Sequence, residues 1–126
     1  MNRIVTITID KKDYPLLFSI LAMEEIYDRY GSLEDMMKVV FDSPNVAKQT
    51  REILTIAEIL NKAACACLSE KSNEKRLNVN SILATANPYD LLNMNLWQIV
   101  LNAITKGAEQ TVEVVDDSKN AEATQG

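Results

Sequence analysis

The sequence predicts an α+β fold, mostly α, in which an N-terminal β-hairpin is followed by four or five helices. Three observations predict it. The opening "RIVTITID" alternates apolar and polar residues; from Ser19 onward apolar residues recur every three or four positions; and the breaks between periodic stretches carry the Ser, Asn, Pro and Gly that begin and end helices. With 126 residues, 47% of them apolar and 25% charged, the chain has the composition of one globular domain and not of a disordered or disulfide-built one.

Each element follows from its residues. In "RIVTITID", Val5, Ile7 and Ile9 share one face and Thr6, Thr8 and Asp10 the other, the pattern of a half-buried strand. "DKKD" is a short polar turn, and "YPLLF" then places Tyr14, Leu16 and Phe18 on one face of a second strand, which Pro15 assigns to a sheet edge. Ser19 stands where an N-cap belongs ahead of "ILAMEEIYDRY", with Leu21 or Ala22, Ile26, Tyr27 and Tyr30 at helical spacing and Gly31 as the stop. Ser32 restarts a helix whose apolar face is Leu33, Met36, Met37, Val40 and Phe41, with acids in its first turn.

Asp42, Ser43 and Pro44 end that helix and begin a third, predicted from about Asn45 to Glu70 with Pro44 in its first turn. Its stripe is Ile53, Ile56, Ala57, Leu60, Ala64, Cys67 and Leu68, widened by Leu54, Ile59 and Ala63, as suits a helix covered on two sides. A charged loop spans 69–78. "VNSILATAN" predicts a short helix capped by Asn80 or Ser81. The stretch from Asn87 to Gly107 reads as one helix, with Asn87 as N-cap, Pro88 at the first helical position and Gly107 at the close. It carries two adjacent stripes: Leu92, Leu96, Ile99, Val100 and Ala103, and beside them Trp97, Leu101 and Ile104.

The predicted domain covers 1–108. From 109 to 126 the sequence holds five acids (Glu109, Glu113, Asp116, Asp117, Glu122) against Lys119, a charge of −4 out of the total of −5. This acidic tail, with only Val112, Val114 and Val115 to bury, is expected to be disordered from about Asp116. The nearly neutral body has no basic stripe of the kind that neutralises phosphates, so nucleic acid is not an expected partner. No run approaches the roughly 18 apolar residues of a membrane span, and the N-terminus has no signal-peptide pattern, so a cytoplasmic protein is expected. Two helical residues two apart point about 200° away from each other, which reads Cys65 and Cys67 as small core residues and not as a chelating pair.

Chemistry has little to build on. The chain contains no histidine, the commonest general base and metal ligand, and its three glycines fall in no phosphate-binding fingerprint. Glu24 with Asp28 and Glu34 with Asp35 are the carboxylate pairs, too few ligands for a hard cation, and Glu25 with Arg29 reads as an i,i+4 ion pair on a solvated face. The expectation is a non-enzyme without metal or cofactor.

The stretch "ITIDKKDYPLLFSILAMEEIYDRYGSLEDM" resembles the start of the tail assembly chaperones of long-tailed phages and prophages of Gram-positive bacteria. The match lies at Ile7, Ile9, Asp10, Tyr14, Leu16, Phe18, Glu25, Gly31 and Ser32, and Lys11 departs from it where those proteins carry glycine. A looser likeness extends over residues 4–108. The resemblance implies a cytoplasmic, non-catalytic factor, absent from the mature virion, that coats the tape measure protein, keeps it soluble and promotes polymerisation of tail tube protein around it. It also implies that a longer form made by translational frameshifting can exist, and the acidic segment after Gly107 is a suitable place for the join.

From the apolar excess of the last helix, Tyr89, Trp97, Leu101 and Ile104 are the candidate partner-binding residues, a groove or ridge for amphipathic helices. Two other readings of the same residues stand: they fill the domain's own core, or they form a homo-oligomer contact. The rival functions are a small virion component such as a tail-completion protein, and a regulatory protein binding a host factor or nucleic acid through "SEKSNEKR".

Overall fold

A computed structural model describes residues 3–71 and 73–109. The elements run β1 (Val5–Ile9), β2 (Lys12–Leu16), α1 (Ile20–Tyr30), α2 (Leu33–Phe41), α3 (Val46–Leu68), a single 3₁₀ turn (Asn73–Lys75), α4 (Val79–Thr85), α5 (Pro88–Asn93) and α6 (Leu96–Ala108). The class is α+β, mostly α, as the sequence predicts, with six helices after the hairpin. Expectations for 110–126, the disordered tail among them, lie outside the described residues.

The strands pair antiparallel with Ile9 opposite Lys12, leaving a two-residue turn. Asp10 and Lys11 both take positive φ, 53° and 66°, the type I′ geometry that matches the twist of a two-residue hairpin. Glycine suits the second position, so Lys11 holds a left-handed conformation at a steric cost. Counting alternately from the closing pair, Thr6 and Pro15 form a pair without ladder bonds, so the missing N–H of Pro15 costs the sheet nothing. The strand stops at Leu16, short of Phe18, because Leu17 N donates to Leu60 O at 3.0 Å and ties the chain to α3.

α3 is the axis of the fold. At 23 residues, about 34 Å long, it packs against β2, α1, α2, α4 and α6, while α6 also meets β1. The core joins Ile7, Ile9, Tyr14, Leu16 and Phe18 from the hairpin region to Ala22 and Ile26 of α1, Met36 and Val40 of α2, the α3 stripe and Leu96, Val100 and Ala103 of α6. Burying side chains of this size contributes about 1.5–3 kcal/mol each before the entropy of ordering them.

Asn61 of α3, 2% exposed, organises the turn side of this core. Its Nδ2 donates to Pro15 O at 2.9 Å and to Lys75 O at 2.8 Å, and its Oδ1 accepts from Leu77 N at 2.8 Å. One side chain therefore clamps the second strand and the loop before α4 onto α3. Glu58 adds a second tie, accepting from Val79 N, at the start of α4, at 3.0 Å.

Several boundaries differ from the sequence reading. The stretch from Asn87 to Gly107 is two helices: Asn95 Oδ1 accepts from Gln98 N, a side-chain cap that competes with continuing the backbone ladder, and Met94 turns to ψ 144°. Asn78 caps α4, in place of Asn80 or Ser81, and Asn45 caps α3, leaving Pro44 just outside it. Tyr27 is exposed, as is Phe41. Cys65 is buried, whereas Cys67 and Leu68 lie beyond the covering elements and are exposed. Glu25 bridges to Lys62 at 2.9 Å and Arg29 faces Glu52 at 3.8 Å, so both reach across to α3 instead of pairing along α1.

Gly107 lies inside α6 and not past its end. A Cβ there would stand 2.4 Å from Phe18 O and 2.6 Å from Phe18 Cβ, so the glycine is what lets α6 approach the chain leaving β2. Arg3 Nη1 donates to Gly107 O at 3.1 Å and fastens the same junction.

Candidate partner-binding groove

The first two turns of α3 reach beyond the elements that cover the rest of it, and the segment after the charged loop folds back beside them. That segment is cut into pieces by asparagines whose side chains accept backbone N–H groups: Asn78 from Ser81, Asn87 from Tyr89 and Asp90, and Asn95 from Gln98. Each cap ends one helix direction and starts another, so α4 and α5 are too short to lie flat on α3. A groove of about 410 Å³ remains between them.

Val46, Ala47 and Thr50 form one wall, and Leu83, Ala86, Pro88, Leu91 and Leu92 the other. Val46 is 55% exposed and Leu92 46%. A smaller hollow of about 190 Å³ shares Val46, Thr50, Leu91 and Leu92 and continues the surface to Met94 and Trp97. Trp97 is half-buried and meets the exposed ring of Phe41 edge-on, with centroids 5.3 Å apart at 77°. The apolar surface therefore runs from the end of α4, across α5 and the start of α3, to the end of α2 and the start of α6.

None of the eight residues lining the main groove is charged. Its lining is apolar apart from the hydroxyl of Thr50, and it can exclude water from an apolar side chain laid into it. Among the described residues no group of three or more His, Cys, Asp or Glu is placed to hold a metal ion, and no helix is long and apolar enough to cross a membrane. Burial pushes the Cys65 thiol above its ordinary pKa, against the opposing pull of Arg76. Burial is also the main cause that raises Tyr30, whose O–H donates to Glu52 while Arg29 Nε donates to the phenol oxygen at 3.3 Å; this cluster joins α1 to α3 and lies apart from the groove.

The four sequence-predicted site residues do not come together. Trp97 lines the smaller hollow. Leu101, one turn further along α6, is half-buried and lines neither hollow. Tyr89 is 74% exposed but lines neither hollow, although its neighbours Pro88 and Leu91 line the main one. Ile104 is 5% exposed and belongs to the core, which corrects its reading as partner-binding: α6 turns that side of its stripe onto the domain. Sequence reasoning missed Val46, Leu83 and Leu92 as a set. The available signal was Val46, an apolar residue at the first position of a helix whose buried stripe begins only at Ile53.

The chain matches no family model, and neither a curated protein nor a solved structure is significantly similar to it.

Proposed function

We propose that the chain is a non-catalytic tail assembly chaperone of a long-tailed phage or prophage, which holds amphipathic helices of the tape measure protein in the groove at the start of α3. It acts in the host cytoplasm, keeps its client soluble while tail tube protein assembles around it, and is left out of the finished particle. The observation that carries this reading is the uncharged groove between Val46 and Leu92, open to solvent on a domain that already has a complete core. An exposed apolar surface of this kind is an aggregation hazard unless it has a partner. An amphipathic helix with apolar residues at i, i+3, i+4 and i+7 is the chemistry that fits it, in the helix-in-groove mode. The resemblance over Ile7 to Ser32 supplies the class of client; the groove supplies the way of holding it.

The test is co-expression with a candidate tape measure protein. The client is expected in the soluble fraction, in a complex whose mass by light scattering corresponds to many copies of the chain per client. A client that precipitates while the chain stays free rejects the proposal, and recovery of the chain in purified particles favours a virion component instead.

A further inference from the structure

The two long edges of the hairpin differ. Ile9 and Lys12 form the closing pair and exchange ladder bonds, as do Ile7 with Tyr14 and Val5 with Leu16, so the N–H and C=O groups of the residues between them point outward. On the β2 side that outward row is already used: Pro15 O accepts from Asn61 Nδ2 at 2.9 Å, Leu17 N donates to Leu60 O at 3.0 Å, and Pro15 has no N–H to offer. On the β1 side the row belongs to Thr6 and Thr8, both exposed. Among the described residues, the hydrogen bond that either makes is that of the Thr8 hydroxyl, which donates to Asp13 Oδ1 at 2.6 Å; their backbone N–H and C=O groups have no protein partner.

An open row of this kind is a template for another strand, and edges that stay single are blunted by Pro, Lys, a bulge or a charge pointing inward. The strand "VTITI" has none of these, and its register with β2 runs unbroken. Every residue in it is β-branched, as suits a strand with neighbours. The groups themselves select the neighbour. In an antiparallel copy of β1, the register that uses Thr6 and Thr8 on both sides sets Thr6 against the partner's Thr8 and Ile7 against the partner's Ile7, and each Thr6–Thr8 pair then exchanges both of its bonds. The edge is its own complement. Arg3 of one copy comes level with the turn at the partner's Asp10 and Lys11, a charge of either sign, so charge does not oppose the approach.

We propose that two copies of the chain join through the outer edges of β1, about a two-fold axis at Ile7, into one sheet of order β2–β1–β1–β2. The contact is isologous and short, so it is weak in dilute solution and strengthened wherever copies are held side by side. β1 shares no residue with the groove at the start of α3, so the pairing stands or falls independently of the chaperone reading.

Sedimentation of the full chain over a concentration series up to about 1 mM tests it. The mass is expected to rise from 14.1 kDa toward twice that value. Thr6→Pro removes an outward donor and leaves the β1–β2 ladder intact, so it is expected to keep the native circular dichroism and stay monomeric. Disulfide trapping reads the register without a proline: chains with Thr6→Cys and chains with Thr8→Cys, each also carrying Cys67→Ser while Cys65 stays buried, are mixed with oxidised glutathione. Thr6 and the partner's Thr8 stand about 5.5 Å apart at Cα in this register and like residues about 8 Å apart, beyond the reach of a disulfide. The mixed disulfide is therefore expected to outnumber both like disulfides together, whereas chance collision makes the two classes equal. A monomer throughout the series overturns the proposal. So does equal trapping, or a folded Thr6→Pro chain that still doubles its mass.

Discussion

In an Asn61→Ala variant three backbone groups each lose a hydrogen bond at once: the N–H of Leu77 and the carbonyls of Pro15 and Lys75, the last keeping the Cys65 thiol at 3.6 Å. Leu77 is buried, so its N–H is left unsatisfied, at about 1–3 kcal/mol. The two carbonyls lie where water has partial access, and each loses the net worth of one hydrogen bond, about 0.5–1.5 kcal/mol. The total is about 2–6 kcal/mol, a large share of the 5–15 kcal/mol typical of a whole domain. Urea unfolding followed by circular dichroism reads it directly: with a slope of about 1–3 kcal/mol/M, the midpoint should fall by at least about 0.7 M at unchanged slope. Hydrogen exchange should show the Leu77 amide losing protection. A midpoint within about 0.3 M of the native chain's would refute the claim that this amide clamps strand, loop and helix together.

Gly107→Ala is expected to lose about 1–2 kcal/mol in the same assay, because overpacking against the Phe18 backbone outweighs the better helix propensity of alanine. Lys11→Gly should gain about 0.5 kcal/mol by relieving a positive φ in the turn, whereas Lys11→Ala should gain nothing. Tyr30 has a folded-state pKa raised chiefly by burial, so its contribution is complete below the ordinary tyrosine value near 10 and is lost as pH rises through the folded value. Stability should therefore fall above about pH 10, and Tyr30→Phe should flatten that fall; an equal slope in both chains would contradict the burial. V46D/L92D changes two exposed groove residues and should leave the free energy of unfolding in urea within about 0.5 kcal/mol of the native value.

The elements whose signals are local were legible in the sequence. The hairpin followed from two-residue alternation around "DKKD", and Ser19, Gly31 and Ser32 act at the helix ends as their chemistry dictates. The break at Met94 and Asn95 was not legible, because the apolar spacing runs through it unchanged and only the capping geometry of Asn95 decides against one long helix. That break is also what hid the groove. A single helix from Pro88 would have placed Tyr89, Trp97, Leu101 and Ile104 on one straight rod, whereas the bend puts Leu91 and Leu92 opposite Val46 and turns Ile104 inward. Asn61 carried no signal at all: a lone asparagine in an apolar helix is identified as a clamp only when the strand and loop it holds are in place.

The chain has one tryptophan, and it lines the hollow that continues the groove. The most direct test of the proposed function is the emission of Trp97 as purified helical fragments of the tape measure protein are added to the native chain and to V46D/L92D. The account predicts a saturable blue shift that persists at high salt, as apolar contact requires, and its loss in the double variant. A complex that forms equally well with V46D/L92D, or without any change at Trp97, would contradict the claim that this groove holds the client.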